Sequence, residues 1–154
     1  MLIFLDSSAL VKYYVTEQGS VRIRSLVDDS QNVTLVSAIA LPEVTSALAR
    51  RQREGLFGKR FLRQSYQSFQ EDLRVTFQRI PVEDAMLTDA AELALRRPVK
   101  GYDAVQIATA IAVQQRFVAL TFISADKQML RAAQAEGMQT DNPELYPSEA
   151  EQPE

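Results

Sequence analysis

Short apolar segments alternate with longer amphipathic segments along the chain, and this alternation strongly limits the folds open to it. Residues 2–5, 33–36, 75–80, 120–123 and 138–140 have the length and composition of β-strands. Between them, apolar side chains recur every three or four residues, as on the buried face of a helix. Strands alternating with helices predict an α/β domain with three layers, in which helices flank a central, mainly parallel sheet.

The helical pattern has clear limits. Gly55 follows one long helical segment and Gly137 follows the last, as expected for residues that end helices. Seven helices are predicted, at residues 7–15, 19–27, 38–54, 58–74, 83–96, 102–116 and 126–136. The segment 102–116 is the most apolar of these and is therefore predicted to be the most buried.

A chain of 154 residues has the size of one domain. We assign residues 1–142 to this domain, since strand and helix patterns continue to that point. Residues 143–154 contain three prolines and scattered acids, which predicts an acidic C-terminal tail that is ordered at most in part.

The chain contains neither histidine nor cysteine. A Ser-His-Asp triad, a Cys-His pair, a zinc finger and a disulfide framework are therefore all excluded. Any catalysis has to use carboxylates, hydroxyls, Lys, Arg, Tyr, backbone groups or a bound ion.

Location and charge bear on the kind of partner. The apolar start is interrupted at Asp6, which is too early for a signal peptide, and no apolar run has the length of a membrane span. We expect a cytoplasmic protein without a membrane partner. The net charge is −3, but four acids and no bases lie from Glu144 onward. The remaining sixteen acids and seventeen bases give the body a charge of +1, so a basic face for nucleic acid remains open.

Four acids occupy equivalent places in the predicted fold. Asp6 directly follows the first strand, and Asp126 follows the strand that ends at residue 123. Glu43 and Asp103 lie near the starts of two helices. Because ligands of open parallel sheets bind outside the carboxyl ends of the strands, we expect all four acids at one rim.

Carboxylates that share one rim repel each other, by about 4 kcal/mol for a pair about 4 Å apart at an effective dielectric constant near 20. Such a cluster takes up protons or binds a cation, and oxygen ligands favour Mg²⁺ or Mn²⁺. Each acid also has an ordinary structural explanation. Asp6 and Asp126 are good helix caps, and Glu43 and Asp103 suit the positive end of a helix dipole.

Four motifs resemble those of the PIN-domain family, in particular VapC-type toxins of bacterial toxin–antitoxin pairs. They are LIFLDSSALVKYYVTEQGS at the start, VSAIALPEVTSALARRQREG around Glu43, GYDAVQIATA around Asp103 and FISADKQMLRAA around Asp126. Their order and spacing agree with the family over roughly residues 1–142. The resemblance implies a PIN-like nuclease domain and a Mg²⁺- or Mn²⁺-dependent endoribonuclease that acts as a toxin.

The resemblance also implies roles for single residues. Asp6, Glu43 and Asp103 would be the core metal ligands and Asp126 the fourth acid. Ser7 would be a small polar residue of the site, and Ser124 would orient a carboxylate or water. Many relatives carry His where this chain has Gln106. We expect Gln106 to face the fold or the rim of the site and to tune activity without abolishing it.

Two kinds of partner follow from the resemblance, an RNA substrate such as transfer RNA and a VapB-like antitoxin; a homodimer is also expected. Bases near the acids suit phosphate contacts. They are Arg50, Arg51, Arg53, Lys59, Arg60, Arg63, Arg96, Arg97 and Lys100. Apolar residues of two helices offer a surface for the antitoxin or a second copy, with core packing as the alternative. They are Leu48, Leu56, Phe57, Phe61, Leu62, Tyr66 and Phe69.

Two other functions compete with the nuclease. Asp6 at a strand end also suits a phosphorylated nucleophile, but a haloacid-dehalogenase-like motif requires an Asp where Ser8 stands. The other alternative is a non-catalytic RNA- or protein-binding module that keeps the PIN fold, and the four intact acids count against it.

Overall fold

The structure, a computed structural model, describes residues 1–117 and 119–147. Within them the chain forms five strands, β1 (Leu2–Leu5), β2 (Val33–Ser37), β3 (Gln78–Ile80), β4 (Thr121–Ile123) and β5 (Gln139–Asp141). The helices are α1 (Ser7–Tyr14), α2 (Ser20–Asp28), α3 (Ala40–Arg53), α4 (Lys59–Val75), α5 (Asp84–Arg96), α6 (Gly101–Gln114) and α7 (Lys127–Ala135). None of the helices in this part of the chain is long and apolar enough to cross a membrane.

The strands form one sheet in the order β3-β2-β1-β4-β5, and each neighbouring pair is parallel. β1 lies at the centre, where Ile3 is in register with Thr34 on one side and Thr121 on the other. The chain first adds β2 and β3 on one side of β1 and then β4 and β5 on the other. The strand order therefore reverses between β1 and β4, and a ligand crevice is expected at their carboxyl ends.

The alternating side chains of β1 divide the core into two layers. Ile3 and Leu5 are buried against residues of α1, α2, α3 and α4. Phe4 points to the opposite face, where it packs among residues of α5, α6 and α7 and stacks on Phe122 with 5.7 Å between ring centroids. Burial of each of these side chains is worth roughly 1.5–3 kcal/mol. The predicted three-layer α/β fold is confirmed.

The predicted strand at residues 75–80 is wrong in its first half. α4 continues to Val75, which is 62% exposed, and only Gln78–Ile80 pairs with β2. The backbone N–H groups of Thr76 and Phe77 both donate to the carbonyl of Asp72 and close the helix end. Phe77 lies in this turn and not in a strand, and its side chain is buried. The alternating apolar pattern thus spans a helix end, a turn and a short strand.

The start of the predicted C-terminal tail packs against the domain. Pro143–Leu145 form a 3-10 turn, and Pro143 is buried beside Gly19. The Gln18 side chain donates to the carbonyls of Glu144 and Tyr146, and the Arg22 guanidinium lies 4.2 Å from the centre of the Tyr146 ring. Residues 148–154 of the predicted tail lie outside the described residues, so the partial disorder of the tail stays a prediction.

Gly19 is required at this contact for two reasons. Its φ of 88° is in the left-handed region, and a Cβ atom there would lie 2.9 Å from the carbonyl carbon of Pro143. Gly55 has a similar φ of 82°, but a Cβ atom there meets nothing within 4 Å. We expect Gly55→Ala to lower the free energy of unfolding by about 1–2 kcal/mol through backbone strain alone. Gly19→Ala should cost at least about 1 kcal/mol more, because the turn at Pro143 has to move away.

Urea unfolding of the two variants and the wild-type protein measures this difference directly. Equal losses in Gly19→Ala and Gly55→Ala would show that the C-terminal turn contributes no tight packing.

Candidate active site

A cavity of about 960 Å³ lies at the carboxyl edge of the sheet, and all four predicted acids line it. Asp6 follows β1 and caps the N-terminus of α1, and Asp126 follows β4 and caps α7. Glu43 and Asp103 lie in the first turns of α3 and α6. The structural roles considered for Asp6 and Asp126 as caps are therefore real, and they coexist with a position in the cavity.

Asp6 is the most enclosed of the four acids, with 1% of its surface exposed. Its Oδ1 accepts hydrogen bonds from the Ala9 backbone N–H at 2.9 Å and from the Ser8 hydroxyl at 2.8 Å. Its Oδ2 accepts from the Ser124 hydroxyl at 2.8 Å. These donors hold the carboxylate in one orientation beneath the cavity.

Ser124 connects two of the acids. Its hydroxyl donates to Asp6 and accepts a hydrogen bond from the Asp126 backbone N–H at 3.0 Å. The resemblance implied that Ser124 orients a carboxylate or water; its hydroxyl lies beside a carboxylate, and its role in activity stays a prediction. Ser8 also joins the two segments, because its hydroxyl donates to Asp6 and accepts from the Ala125 N–H at 3.0 Å.

Glu43 is held by two side chains from other elements. Its Oε1 accepts from the Ser7 hydroxyl at 3.1 Å and from the Gln106 amide at 2.8 Å, and the same amide donates to Ser7 at 2.9 Å. Gln106 is 1% exposed and lines the cavity. Its Oε1 is the one buried side-chain nitrogen or oxygen atom without a hydrogen-bond partner in the described chain. Gln106 thus serves as a donor to the Glu43 carboxylate and belongs to the wall of the site, as predicted.

The acids affect each other electrostatically. Burial raises the pKa of Asp6 from 3.8 to about 7, although hydrogen bonds from Ala9, Ser124 and Ser8 act in the opposite direction. Burial and then the charges of Asp126 and Glu43 raise the pKa of Asp103. Asp126 and Glu43 are therefore close enough to Asp103 to disfavour its ionisation, although the charge of Lys100 acts in the opposite direction.

The donor set fits a hard divalent cation in its chemistry, since it consists of carboxylate and hydroxyl oxygens in a cavity. The acidic side chains, however, do not converge on one point. Among residues 1–117 and 119–147, no three acids lie close enough together to hold a metal ion. Binding would therefore require the half-buried carboxylates to close in on the ion.

One wall of the cavity carries basic residues, paired in part with Glu17 and Glu144, and the sequence pointed to only some of these bases. Arg50 and Arg51, two of the predicted phosphate-binding bases, line the cavity. Lys12 lines it as well but was not predicted. Arg96 and Arg97 instead bind Glu136, at 2.9 Å each. These two bases thus support the helix packing around α7 and are not part of the cavity.

Comparison with known proteins agrees with this arrangement. The model of the PIN domain matches residues 3–135. The chain belongs to the PIN domain family. Ribonuclease VapC45 of Mycobacterium tuberculosis (strain CDC 1551 / Oshkosh) is 32% identical over 112 residues, which are 73% of this chain and 76% of the relative. The family that the four motifs resembled is therefore confirmed.

Solved structures share the PIN fold. VapC20 of Mycobacterium tuberculosis, described as a sarcin–ricin loop cleaving toxin, superposes with a TM-score of 0.63 at 19% identity, covering 84% of this chain and 94% of that one. VapBC2 of Rickettsia felis, bound to a DNA fragment from its promoter, gives a TM-score of 0.62 at 15% identity and covers 92% and 98%. At these identities the likeness concerns the fold.

The raised pKa of Asp6 predicts a specific dependence of stability on pH. Between its ordinary pKa of 3.8 and about 7, the folded protein binds more protons at Asp6 than the unfolded chain does. The stability associated with Asp6 is therefore present at low pH and is lost as the pH rises through this range. With EDTA present, we expect the free energy of unfolding of Asp6→Asn to rise by about 2–4 kcal/mol relative to wild type from pH 4 to pH 7.

Glu136→Gln provides a control of opposite sign. The hydrogen bond from Arg96 holds the pKa of Glu136 near 2, although burial opposes it, and Arg97 adds to the lowering. Its stabilisation is lost only as the pH falls below 4.5 towards 2, so Glu136→Gln should change little relative to wild type between pH 5 and 7. Parallel profiles for the two variants would refute the assignment for Asp6.

Proposed function

We propose that the protein is a Mg²⁺- or Mn²⁺-dependent endoribonuclease that hydrolyses RNA phosphodiester bonds and acts as the toxin of a toxin–antitoxin pair. The observation that carries this proposal is the shared cavity of Asp6, Glu43, Asp103 and Asp126 in a chain of the PIN domain family. The name of the relative, ribonuclease VapC45, supports the same reaction.

In this proposal Asp6, Glu43 and Asp103 hold the metal, with Asp126 as the fourth acid. A bound Mg²⁺ or Mn²⁺ supplies an acidified water and stabilises charge on the attacked phosphate. The residues of the chain orient its ligands. Ser124 and Ser8 fix the Asp6 carboxylate, which limits it to one orientation.

Ser7 and Gln106 orient the Glu43 carboxylate in the same way. Both donate to Oε1, so Oε2 is the oxygen that Glu43 offers to a cation. The amide of Gln106 carries no charge at any working pH, so this hydrogen bond does not depend on protonation. We therefore propose that Gln106 positions Glu43 and tunes activity.

The proposed substrate is structured RNA, with transfer RNA as the first candidate to test. Arg50 on the wall of the cavity supports an RNA substrate, because arginine binds phosphate groups through two parallel hydrogen bonds. VapC20, which has the same fold, is described as cleaving the sarcin–ricin loop. An RNA substrate also agrees with the cytoplasmic location that we predict.

The proposed protein partners are a VapB-like antitoxin and a second copy of the chain. The predicted apolar surface is smaller than the sequence indicated, because Leu48 and Phe69 are buried in the core. Leu56 and Phe61 remain exposed at 65% and 40%, and Phe61 contacts Phe57 with 4.7 Å between ring centroids. This corner between α3 and α4 is the surface that we propose for partner binding.

The alternative is a PIN fold that binds RNA or protein without catalysis. The separation of the acids, no three of which converge in the described residues, is the observation that favours it. Metal binding and cleavage measured on the same variants separate the two functions.

We expect Asp6→Asn and Asp103→Asn to lose RNA cleavage by at least about 100-fold and to bind Mn²⁺ much more weakly, because each removes a proposed ligand. Asp84→Asn is the matched control for Asp103→Asn. Asp84 also lies in the first turn of a helix, α5, but it is exposed and outside the cavity. Cleavage of total transfer RNA on gels and Mn²⁺ binding by calorimetry are the measurements.

Unchanged Mn²⁺ binding in Asp6→Asn and Asp103→Asn would refute the metal site. Intact Mn²⁺ binding by the wild-type protein without any RNA cleavage would instead favour the non-catalytic alternative.

The toxin role predicts a growth phenotype. Expression of the wild-type chain alone should stop bacterial growth, whereas Asp6→Asn at an equal protein level should not, because toxicity depends on the intact acid site. Growth curves and RNA-end sequencing after induction measure the effect and name the cleaved RNA. Equal toxicity of the two proteins would contradict catalysis as its cause.

A further inference from the structure

A buried lysine, Lys12, lies in the wall of the cavity, although the sequence analysis did not single it out. The Lys12 side chain is 5% exposed, and its Nζ donates to Glu17 at 3.1 Å and to Glu144 at 2.8 Å. Glu17 in turn binds the Arg51 guanidinium through two hydrogen bonds of 3.0 and 3.1 Å. All four of these residues line the cavity that contains the acids.

The position of Lys12 follows from α1. Ser8, which contacts Asp6, lies one helical turn before Lys12, so the two side chains share one face of the helix. This face runs from the acids to the wall with the basic residues. Four residues of an α-helix span about 6 Å, so Lys12 lies where it could contact a phosphate next to the bond that is cut.

Two carboxylates balance two cations in this network, but they are not equivalent. Glu17 bridges Lys12 and Arg51, is 26% exposed, and keeps a lowered pKa because these cations outweigh the effect of its burial. Glu144 is 39% exposed, and Lys12 is the cation that its side chain contacts in the described structure. It comes from the C-terminal turn, which also contacts Gln18, Gly19 and Arg22. Of the two carboxylates, that of Glu144 is therefore the one that another anion can replace.

We propose that Lys12 binds a phosphodiester group of the RNA substrate, and that Glu144 occupies this phosphate position in the free protein. This inference rests on the proposed nuclease function and adds a substrate-binding residue and a competing group to it. An RNA phosphate that replaces the Glu144 carboxylate brings the same single negative charge to Lys12. The buried ammonium thus stays paired in both states, which avoids the high cost of an isolated buried charge.

The C-terminal turn acts in this way as a competitor of the substrate. Binding of RNA has to displace the Glu144 side chain, so removal of its charge should strengthen RNA binding. Removal of the Lys12 charge should weaken RNA binding and should also abolish the effect of Glu144. A purely structural ion pair predicts neither of these results.

The test uses the full-length protein in EDTA, so that RNA is bound but not cut, with a fluorescein-labelled single-stranded RNA of mixed sequence as the probe. Fluorescence anisotropy gives the Kd at several salt concentrations for Glu144→Gln, Lys12→Met and the double variant. Glu71→Gln is the matched control, because Glu71 also pairs with a basic residue, Arg74, but lies at an exposed position of α4 and does not line the cavity.

We expect Glu144→Gln to lower the Kd roughly threefold to tenfold, and Glu71→Gln to change it less than about twofold. Lys12→Met should raise the Kd roughly tenfold and reduce the slope of log Kd against log salt by about 0.7, the value for one phosphate contact on a single strand. In the Lys12→Met background, Glu144→Gln should have no larger effect than Glu71→Gln.

An equal effect of Glu144→Gln and Glu71→Gln, or weaker RNA binding by Glu144→Gln, would overturn the inference. If Lys12→Met fails to fold, which its thermal unfolding curve shows, the comparison of Glu144→Gln with Glu71→Gln still decides. A wild-type protein that cleaves RNA with Mn²⁺ while Glu144→Gln behaves like Glu71→Gln refutes this inference alone. Absence of both binding and cleavage in the wild-type protein refutes the nuclease proposal.

Discussion

The buried carboxylate of Asp6 is the interaction on which the rest of the site depends. It lies at the point where the strand order reverses, between the carboxyl ends of β1 and β4. Its hydrogen bonds join the start of α1 to the segment after β4, through Ala9 on one side and Ser124 on the other. The same carboxylate thus caps a helix, connects two strand ends and forms the floor of the cavity.

This arrangement has an energetic cost that points to its purpose. A carboxylate that is almost completely buried is disfavoured in its charged form, and this is why the pKa of Asp6 rises to about 7. Asp103 shows the same direction because Asp126 and Glu43 add their charges to the effect of burial. A divalent cation would reduce the repulsion among these groups, which agrees with the metal site that we propose.

A second network of charged residues lines the same cavity. Lys12 and Arg51 are balanced by Glu17 and Glu144, and the network is already satisfied without a ligand. In the proposed function, a phosphodiester next to a metal ion would be accommodated on both sides, because it would bind the cation at the acids and pair with Lys12 in place of Glu144.

The sequence by itself determined the layers of the fold and the placement of the four acids at one edge of the sheet, because both depend on local patterns. Alternation of apolar residues marks strands and helices, and an acid directly after a buried strand has to emerge at its carboxyl edge. The error at residues 75–80 arose because an alternating pattern does not distinguish a strand from a helix end whose last apolar residue, Phe77, is buried by a turn.

Only the tertiary structure decided which neighbours hold the acids and where the basic residues of the cavity lie. Gln106 reaches Glu43 across 63 positions of sequence, and Glu144 reaches Lys12 across 132. No local pattern encodes such pairs, since they depend on how α6 and the C-terminal turn pack against α1 and α3. The residue types limit the chemistry that is possible, and the packing of distant segments determines which side chains contact each other.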